Sequence, residues 1–203
     1  VSMLKLDLHR KSFAGHSVLE DVHLDLKHGD RIAIFGPSGV GKTTLLRIIA
    51  GLDRRFDGTR EAPDEIALMF QNPTLLEWRT TRENLQVFHP ASEEKDIQEA
   101  LSQVGLQDKA GHYPRQLSVG QQRRLALARC FLTPTPLVLL DEPFASLDQS
   151  LRHEMLTLTR AFLDKTGSAL VLVTHAQDEA EALGAESYEL RDVLQHGAEF
   201  ASP

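Results

Sequence analysis

Two early stretches alternate apolar and polar residues, "LKLDLH" (4–9) and "VHLDL" (22–26). A period of two sends successive side chains to opposite faces, so both read as half-buried antiparallel strands. "RIAIF" (31–35) reads as a more buried strand, and "EIALMF" (65–70) as another. "LVLL" (137–140) and "ALVLVT" (169–174) are apolar without interruption, as strands covered on both faces of a parallel sheet are. Helical spacing fills the gaps. After Lys42 the apolar positions Leu45, Leu46, Ile48 and Ile49 predict a helix ending at Gly51. Thr80 with Glu83 has the spacing of a capping box. Ser92 and two glutamates suit the start of a helix whose apolar face is Ile97, Ala100, Leu101 and Val104. Residues 150–167 have helical period and end in Gly167. Strands alternating with helices, interrupted by a helical insert at about 72–125, predict an α/β chain: a parallel core with a helical subdomain.

Composition narrows the class. At 203 residues, 41% apolar and 25% charged, the chain fits one domain spanning 1–203. Net charge is 22 − 29 = −7, which argues against a nucleic-acid partner held by backbone phosphates. The single cysteine, Cys130 in "LALARCFL", permits no internal disulfide and reads as a buried small hydrophobe. No apolar run approaches the ~18 residues of a membrane span, and "VSMLKLDLHRK" lacks a signal-peptide core. Any link to a membrane is therefore expected to go through another chain. There is no internal repeat and no low-complexity segment.

Candidate chemistry starts with "GPSGVGKTTLL" (36–46), between a strand and a helix. Residues 36–43 fit G-x-x-x-x-G-K-[ST]. Glycines let backbone N–H groups turn onto phosphate oxygens, and the helix start favours an anion. Lys42, at what reads as a solvated loop-to-helix edge, can reach β- and γ-phosphates, and the Thr43 hydroxyl can ligate Mg²⁺. The plainer reading is a strand–turn–helix with a surface lysine. "PLVLLDEP" (136–143) ends a strand in two carboxylates. Asp141 can hold Mg²⁺, and Glu142 is placed to polarise an attacking water; otherwise they are turn acids. In "QLSVGQQRRLALAR" (116–129), Ser118 and Gln121 have capping-box spacing, so this could be only a well-capped helix.

Six ordered motifs, however, resemble the nucleotide-binding subunit of ABC transporters over nearly the whole length. "GPSGVGKTTLL" resembles the Walker A motif, "MFQNPTLLEW" the Q-loop, "LSVGQ" the signature, "LVLLDEP" the Walker B, "SLD" (146–148) the D-loop and "VTHAQDEA" (173–180) the switch-histidine segment. The resemblance implies a P-loop NTPase core with a parallel sheet, a short antiparallel β-subdomain and a helical signature subdomain. It implies ATP held by Gly36, Pro37, Ser38, Gly39, Val40, Gly41, Lys42, Thr43 and Thr44, with Phe13 stacked on adenine. Catalytic roles fall to Glu142, His175 and Gln71, and Mg²⁺ to Thr43, Gln71 and Asp141. Ser118, Val119, Gly120 and Gln121 would face the ATP of a second subunit, and Asp148 would be the D-loop aspartate. Phe13 as core packing, His175 as an ordinary strand-end histidine and Gln71 as a loop amide are the plainer readings, and Trp78 and Arg79 could serve an interface or a local cap.

The resemblance further implies a dimer driving integral membrane permease subunits, with a solute-binding protein if the system imports, at the cytoplasmic face of the membrane. "LLEWRTTREN" (75–84) resembles importers of the nitrate, sulfonate and taurine group. A soluble ABC-type ATPase in repair or translation, or a nucleotide-dependent regulatory module without turnover, are the alternatives. Three departures stand out. Val119 replaces the usual glycine, so that position must be right-handed or extended. The segment between Gly51 and Gln71 is short, which predicts a trimmed β-subdomain. "ESYELRDVLQHG" (186–197) matches the usual final strands poorly, and no room is expected for a regulatory domain.

Overall fold

The structure, a computed structural model, describes residues 2–190. Two sheets organise it. The smaller is antiparallel: β1 (Ser2–Phe13) pairs with β2 (His16–Lys27) on one side and β4 (Asp57–Glu61) on the other. Alternation sends Leu4, Leu6 and Leu8 inward from β1, and Val22, Leu24 and Leu26 inward from β2. Beyond Leu8 both strands change face. Lys11 and its partner Leu19 are buried although their parity predicts exposure, and Asp21, in the same stretch, has φ 49°. The strand β4, "DGTRE", has no apolar side chain and was not foreseen. Its Gly58 (φ 135°) is required by packing, since a Cβ there would lie 2.0 Å from the Asp7 carbonyl oxygen.

The larger sheet is parallel and five-stranded, in the order β5 (Ile66–Met69), β6 (Leu137–Asp141), β7 (Ala169–Val173), β3 (Arg31–Phe35), β8 (Glu186–Glu189). Both faces of its centre are covered, which is why 137–140 and 169–173 read as unbroken apolar runs. Val138, Leu140, Leu170 and Leu172 face one hydrophobic core; Leu137, Leu139, Val171 and Val173 face the other. The second core also takes the inner face of the antiparallel sheet and α1 (Lys42–Ile49). The edge strand β8 comes from the segment that matched the usual final strands poorly; its outward residues leave no apolar alternation to read. Residues from 191 onward lie outside the described residues.

Between β5 and β6 come α2 (Thr81–Phe88), α3 (Glu94–Gln103) and α4 (Val119–Phe131). The Thr80–Glu83 capping box is made, but α3 starts one residue later than expected, with Glu93 rather than Ser92 as its cap. Ile97, Ala100, Leu101 and Val104 are buried as their spacing predicts. The helix α4 runs unbroken to Phe131, past the boundary at 125. Last, α5 (Gln149–Thr166) closes on Gly167 (φ 66°), and α6 (Gln177–Leu183) leads into β8. Among the described residues no helix is long and apolar enough to cross a membrane.

Candidate functional site

Strand order builds the site. Gln71, Glu142 and His175 follow the C-terminal ends of β5, β6 and β7, which are neighbours in the sheet. Parallel strands end on the same edge, so three residues far apart in sequence meet there. Gln71 Nε2 donates to Glu142 Oε2 at 2.9 Å, and His175 Nε2 lies 3.0 Å from Glu142 Oε1. Glu142 has φ 49°, an uncommon conformation for a non-glycine residue. Its N–H donates to the Val173 carbonyl (2.8 Å), and its own carbonyl accepts from Arg123 Nη1 (2.9 Å).

The β3–α1 loop supplies the next wall. Gly36, Gly39 and Gly41 have φ of 143°, 83° and 110°. At Gly41 a Cβ would lie 2.9 Å from Leu19 Cδ2, so this glycine also permits close packing of the loop on β2. Lys42 is buried rather than solvated: its ammonium donates to the carbonyls of Gly36 (2.5 Å) and Pro37 (3.0 Å). The Thr43 hydroxyl donates to Asp141 Oδ2 at 2.7 Å. Burial raises the Asp141 carboxyl above the ordinary aspartate range; Glu142 adds to this, while the Thr43 bond and Lys42 oppose it.

A cavity of about 370 Å³ is lined by Ser38, Gly39, Gly41, Lys42, Thr43, Thr44, Gln71, Asp141 and Glu142, together with Phe13 and Val18. Phe13 is 47% exposed, so core packing is excluded for it. The buried Lys11 ammonium sits 4.5 Å from its ring centroid and bonds Asp53 Oδ2 and the Arg55 carbonyl, each at 2.7 Å. Neither Val18 nor Lys11 was singled out by sequence. Gly36, Pro37 and Val40 belong to the loop but do not line this cavity.

Ser118, Val119, Gly120 and Gln121 do not line it either. They form the start of α4, where Ser118 Oγ accepts from the Gln121 N–H and Gln121 Oε1 accepts from the Ser118 N–H. Val119 is the first helical residue, hence right-handed, and 59% exposed. Gly120 has no positive φ, and a Cβ there would make ordinary contact with Leu147 at 3.5 Å. Asp148 caps α5, accepting from the Leu151 N–H at 3.0 Å. Of the ambiguous pair, Arg79 joins Glu83 locally at 3.5 Å while Trp78 is 71% exposed. The segment after Gln71 is held by Asn84, which bonds Leu76 and Arg79, and by Arg129, which donates to the Pro73 and Thr74 carbonyls.

A glycine loop at a helix start, with two carboxylates ending the strand two places across the sheet, is the geometry of nucleoside-triphosphate binding. The family model for the ABC transporter matches residues 19–145. The chain belongs to the ABC transporter family. It is an ATP-binding subunit of that family and an ATPase. Aliphatic sulfonates import ATP-binding protein SsuB 1 of Streptomyces avermitilis is 39% identical over 183 residues, 90% of this chain and 70% of that protein. SsuB of Delftia acidovorans is 40% identical over 204 residues, 95% of this chain and 83% of its own length. Thiamine import ATP-binding protein ThiQ of Vibrio cholerae is 37% identical, over 91% and 84%. Among solved structures, the dimeric ATP-binding cassette MJ0796 in a post-hydrolysis state with ADP and Pi has a TM-score of 0.79 at 29% identity, covering 89% of this chain and 91% of its own.

Proposed function

We propose that this ABC ATPase, one ATP-binding domain over 1–203, powers import of a small organic anion of the sulfonate class. It would work as a dimer at the cytoplasmic face of a membrane, beneath integral permease subunits and with a solute-binding protein. The observation that carries the catalytic reading is the Glu142 carboxylate, held between Gln71 and His175 at the edge of the phosphate-loop cavity. The sulfonate reading rests on the import proteins to which the chain is similar.

The donor set suits Mg²⁺. Thr43 and Asp141 meet at 2.7 Å, and with its Nε2 committed to Glu142, Gln71 has its amide oxygen for a cation. A hydroxyl, a carboxylate and an amide are hard oxygen ligands, too few for an all-protein cage and suited to an ion that keeps waters and phosphate oxygens. When bound, Mg²⁺ would neutralise charge on the β- and γ-phosphates. The protein's own groups do the rest. Backbone N–H groups of 36–43 cradle the phosphates, and Lys42 exchanges two carbonyls for phosphate oxygens. Phe13 stacks on the adenine. Glu142 orients the attacking water and takes its proton, while His175 contacts the γ-phosphate. Ser118, Val119, Gly120 and Gln121 present a helix start to the ATP of the partner subunit, and Asp148 holds the adjoining α5 cap. Their absence from the cavity within one chain is what a composite site requires.

The test is reconstitution with a permease and a sulfonate-binding protein in vesicles. ATP-dependent uptake of an alkanesulfonate, and phosphate release that rises with loaded binding protein, are expected. Phosphate release without sulfonate uptake would overturn the substrate, and no phosphate release would overturn the ATPase assignment.

A further inference from the structure

We propose that Arg123 ties the signature helix to the general base of its own chain, so that the position of α4 sets the aim of Glu142. The inference rests on the proposed reading of Glu142 and of the composite sites. Arg123 lies one turn inside α4, the helix that starts with Ser118 to Gln121. It is 7% exposed, and its Nη1 donates to the Glu142 carbonyl at 2.9 Å. Among the described residues it makes no ion pair with a carboxylate, and its buried Nε has no hydrogen-bond partner. A guanidinium held this way is a poor device for stability, because burying it costs free energy that one hydrogen bond to a peptide carbonyl recovers only in part. Desolvation depresses its pKa, with the Glu142 charge opposing.

The recipient of that bond is unusual. Glu142 is at φ 49°, and its N–H is already committed to Val173 on β7. Its backbone is thus gripped on one side by the sheet and on the other by α4. A small displacement of α4 would lengthen the 2.9 Å bond and let the peptide, and the carboxylate it carries, rotate. The start of α4 belongs to the site completed by the partner's ATP, whereas Glu142 belongs to the site on its own phosphate loop. Arg123 therefore links the two composite sites through one chain. It is a positioning residue and touches no reacting atom.

Arg123→Met is expected to lower kcat by about 10-fold or more, as misplacement of a catalytic group does, with monomer ATP affinity changed less than about twofold. Arg123→Lys, which keeps a cationic donor, should recover most of the rate. A helix that was merely loosened would lose activity in step with folded protein and gain nothing from lysine. Tagged mixed dimers separate the routes. In the first arrangement one chain carries both Arg123→Met and Glu142→Gln, and the other is unchanged. The surviving site then has an intact Glu142 with its own Arg123, and activity should equal that of a dimer carrying Glu142→Gln alone. In the second arrangement the two substitutions are on different chains, the surviving Glu142 lacks its Arg123, and activity should fall as in the homodimer. The reverse pattern would assign Arg123 to the trans contact, and equal loss in both would make it structural; either overturns the proposal. If the dimer carrying only Glu142→Gln is silent, independent sites are refuted. The homodimer then decides: normal kcat in Arg123→Met overturns the role of Arg123, and a low kcat rescued by lysine upholds it.

Discussion

Replacing Glu142 by glutamine tests the proposed general base with little disturbance to the fold. The carboxylate accepts from Gln71 at 2.9 Å and meets His175 at 3.0 Å. A carboxamide has one acceptor oxygen, so one of these contacts would face an NH₂ group unless Gln71 turns its own amide or His175 presents an unprotonated Nε2. At worst one hydrogen bond is lost, about 1 kcal/mol, or roughly 2–4 °C in Tm for a chain of this size. The backbone cost at φ 49° is the same for Glu and Gln. Catalysis should suffer far more. Losing proton abstraction costs on the order of 10²-fold, about 2.7 kcal/mol of barrier. Rapid-quench single turnover, calorimetric ATP titration and light scattering in MgATP read the three consequences. Hydrolysis should fall by about 10²-fold or more, ATP affinity should hold, and an ATP-bound dimer should accumulate. Single-turnover hydrolysis at the wild-type rate would refute the assignment, since no other carboxylate is bridged to His175 among the described residues.

Lys42→Ala should abolish calorimetrically detectable ATP binding and turnover, and because Lys42 is buried against two carbonyls it should also lower the melting temperature by a few degrees, about 1 kcal/mol. Ser118→Ala removes a cap worth about 1 kcal/mol yet should collapse turnover with monomer ATP affinity intact; mixed dimers with Lys42→Ala, having one doubly defective and one intact site, should regain phosphate release. Lys11→Met should cost about 2 kcal/mol at neutral pH by urea melts, the scale of a hydrogen bond to a charged group. The Lys11 bond is the main cause of the lowered Asp53 pKa, so this contribution is complete above the ordinary aspartate value of 3.8 and fades as pH falls through the depressed folded value. A gap between wild type and Lys11→Met that widened on acidification would contradict that linkage.

Much of this architecture was legible because burial follows simple periods. The unbroken runs at 137–140 and 169–173 lie in the sheet centre, and Ile97, Ala100, Leu101 and Val104 are buried as spaced. The glycine loop was legible because backbone approach to a phosphate restricts side chains locally, and the 141–142 carboxylates because they end an apolar strand. What escaped notice depends on distant parts of the chain. The strand β4 has no apolar code and is specified by pairing and by the Gly58–Asp7 approach. Lys11 is carried inward where β1 and β2 change face, against its parity. Lys42 looks solvated as a loop lysine and is buried by its own loop's carbonyls. Arg123 and Arg129 sit in a helix whose sequence shows only a cap and an apolar stretch; that their guanidiniums reach Glu142 and the 73–74 carbonyls needs the strand order.

The same strand order explains why aim and stability separate at Glu142. Its φ of 49° costs about 1–3 kcal/mol. Against that stand four contacts from three elements or their ends: Val173 from β7 and His175 just beyond it, Arg123 from α4, and Gln71 after β5. At about 1 kcal/mol each, any three hold the residue in place, so losing one need not unfold the edge of the sheet. Orientation is not redundant in this way. The backbone contacts fix where the peptide lies, and the side-chain contacts fix where the carboxylate points, so each loss rotates the base by a different route. On the proposed reading, Gln71, His175 and α4 therefore have separate control of one carboxylate, and a change at any of them is expected to alter the rate before it alters the fold.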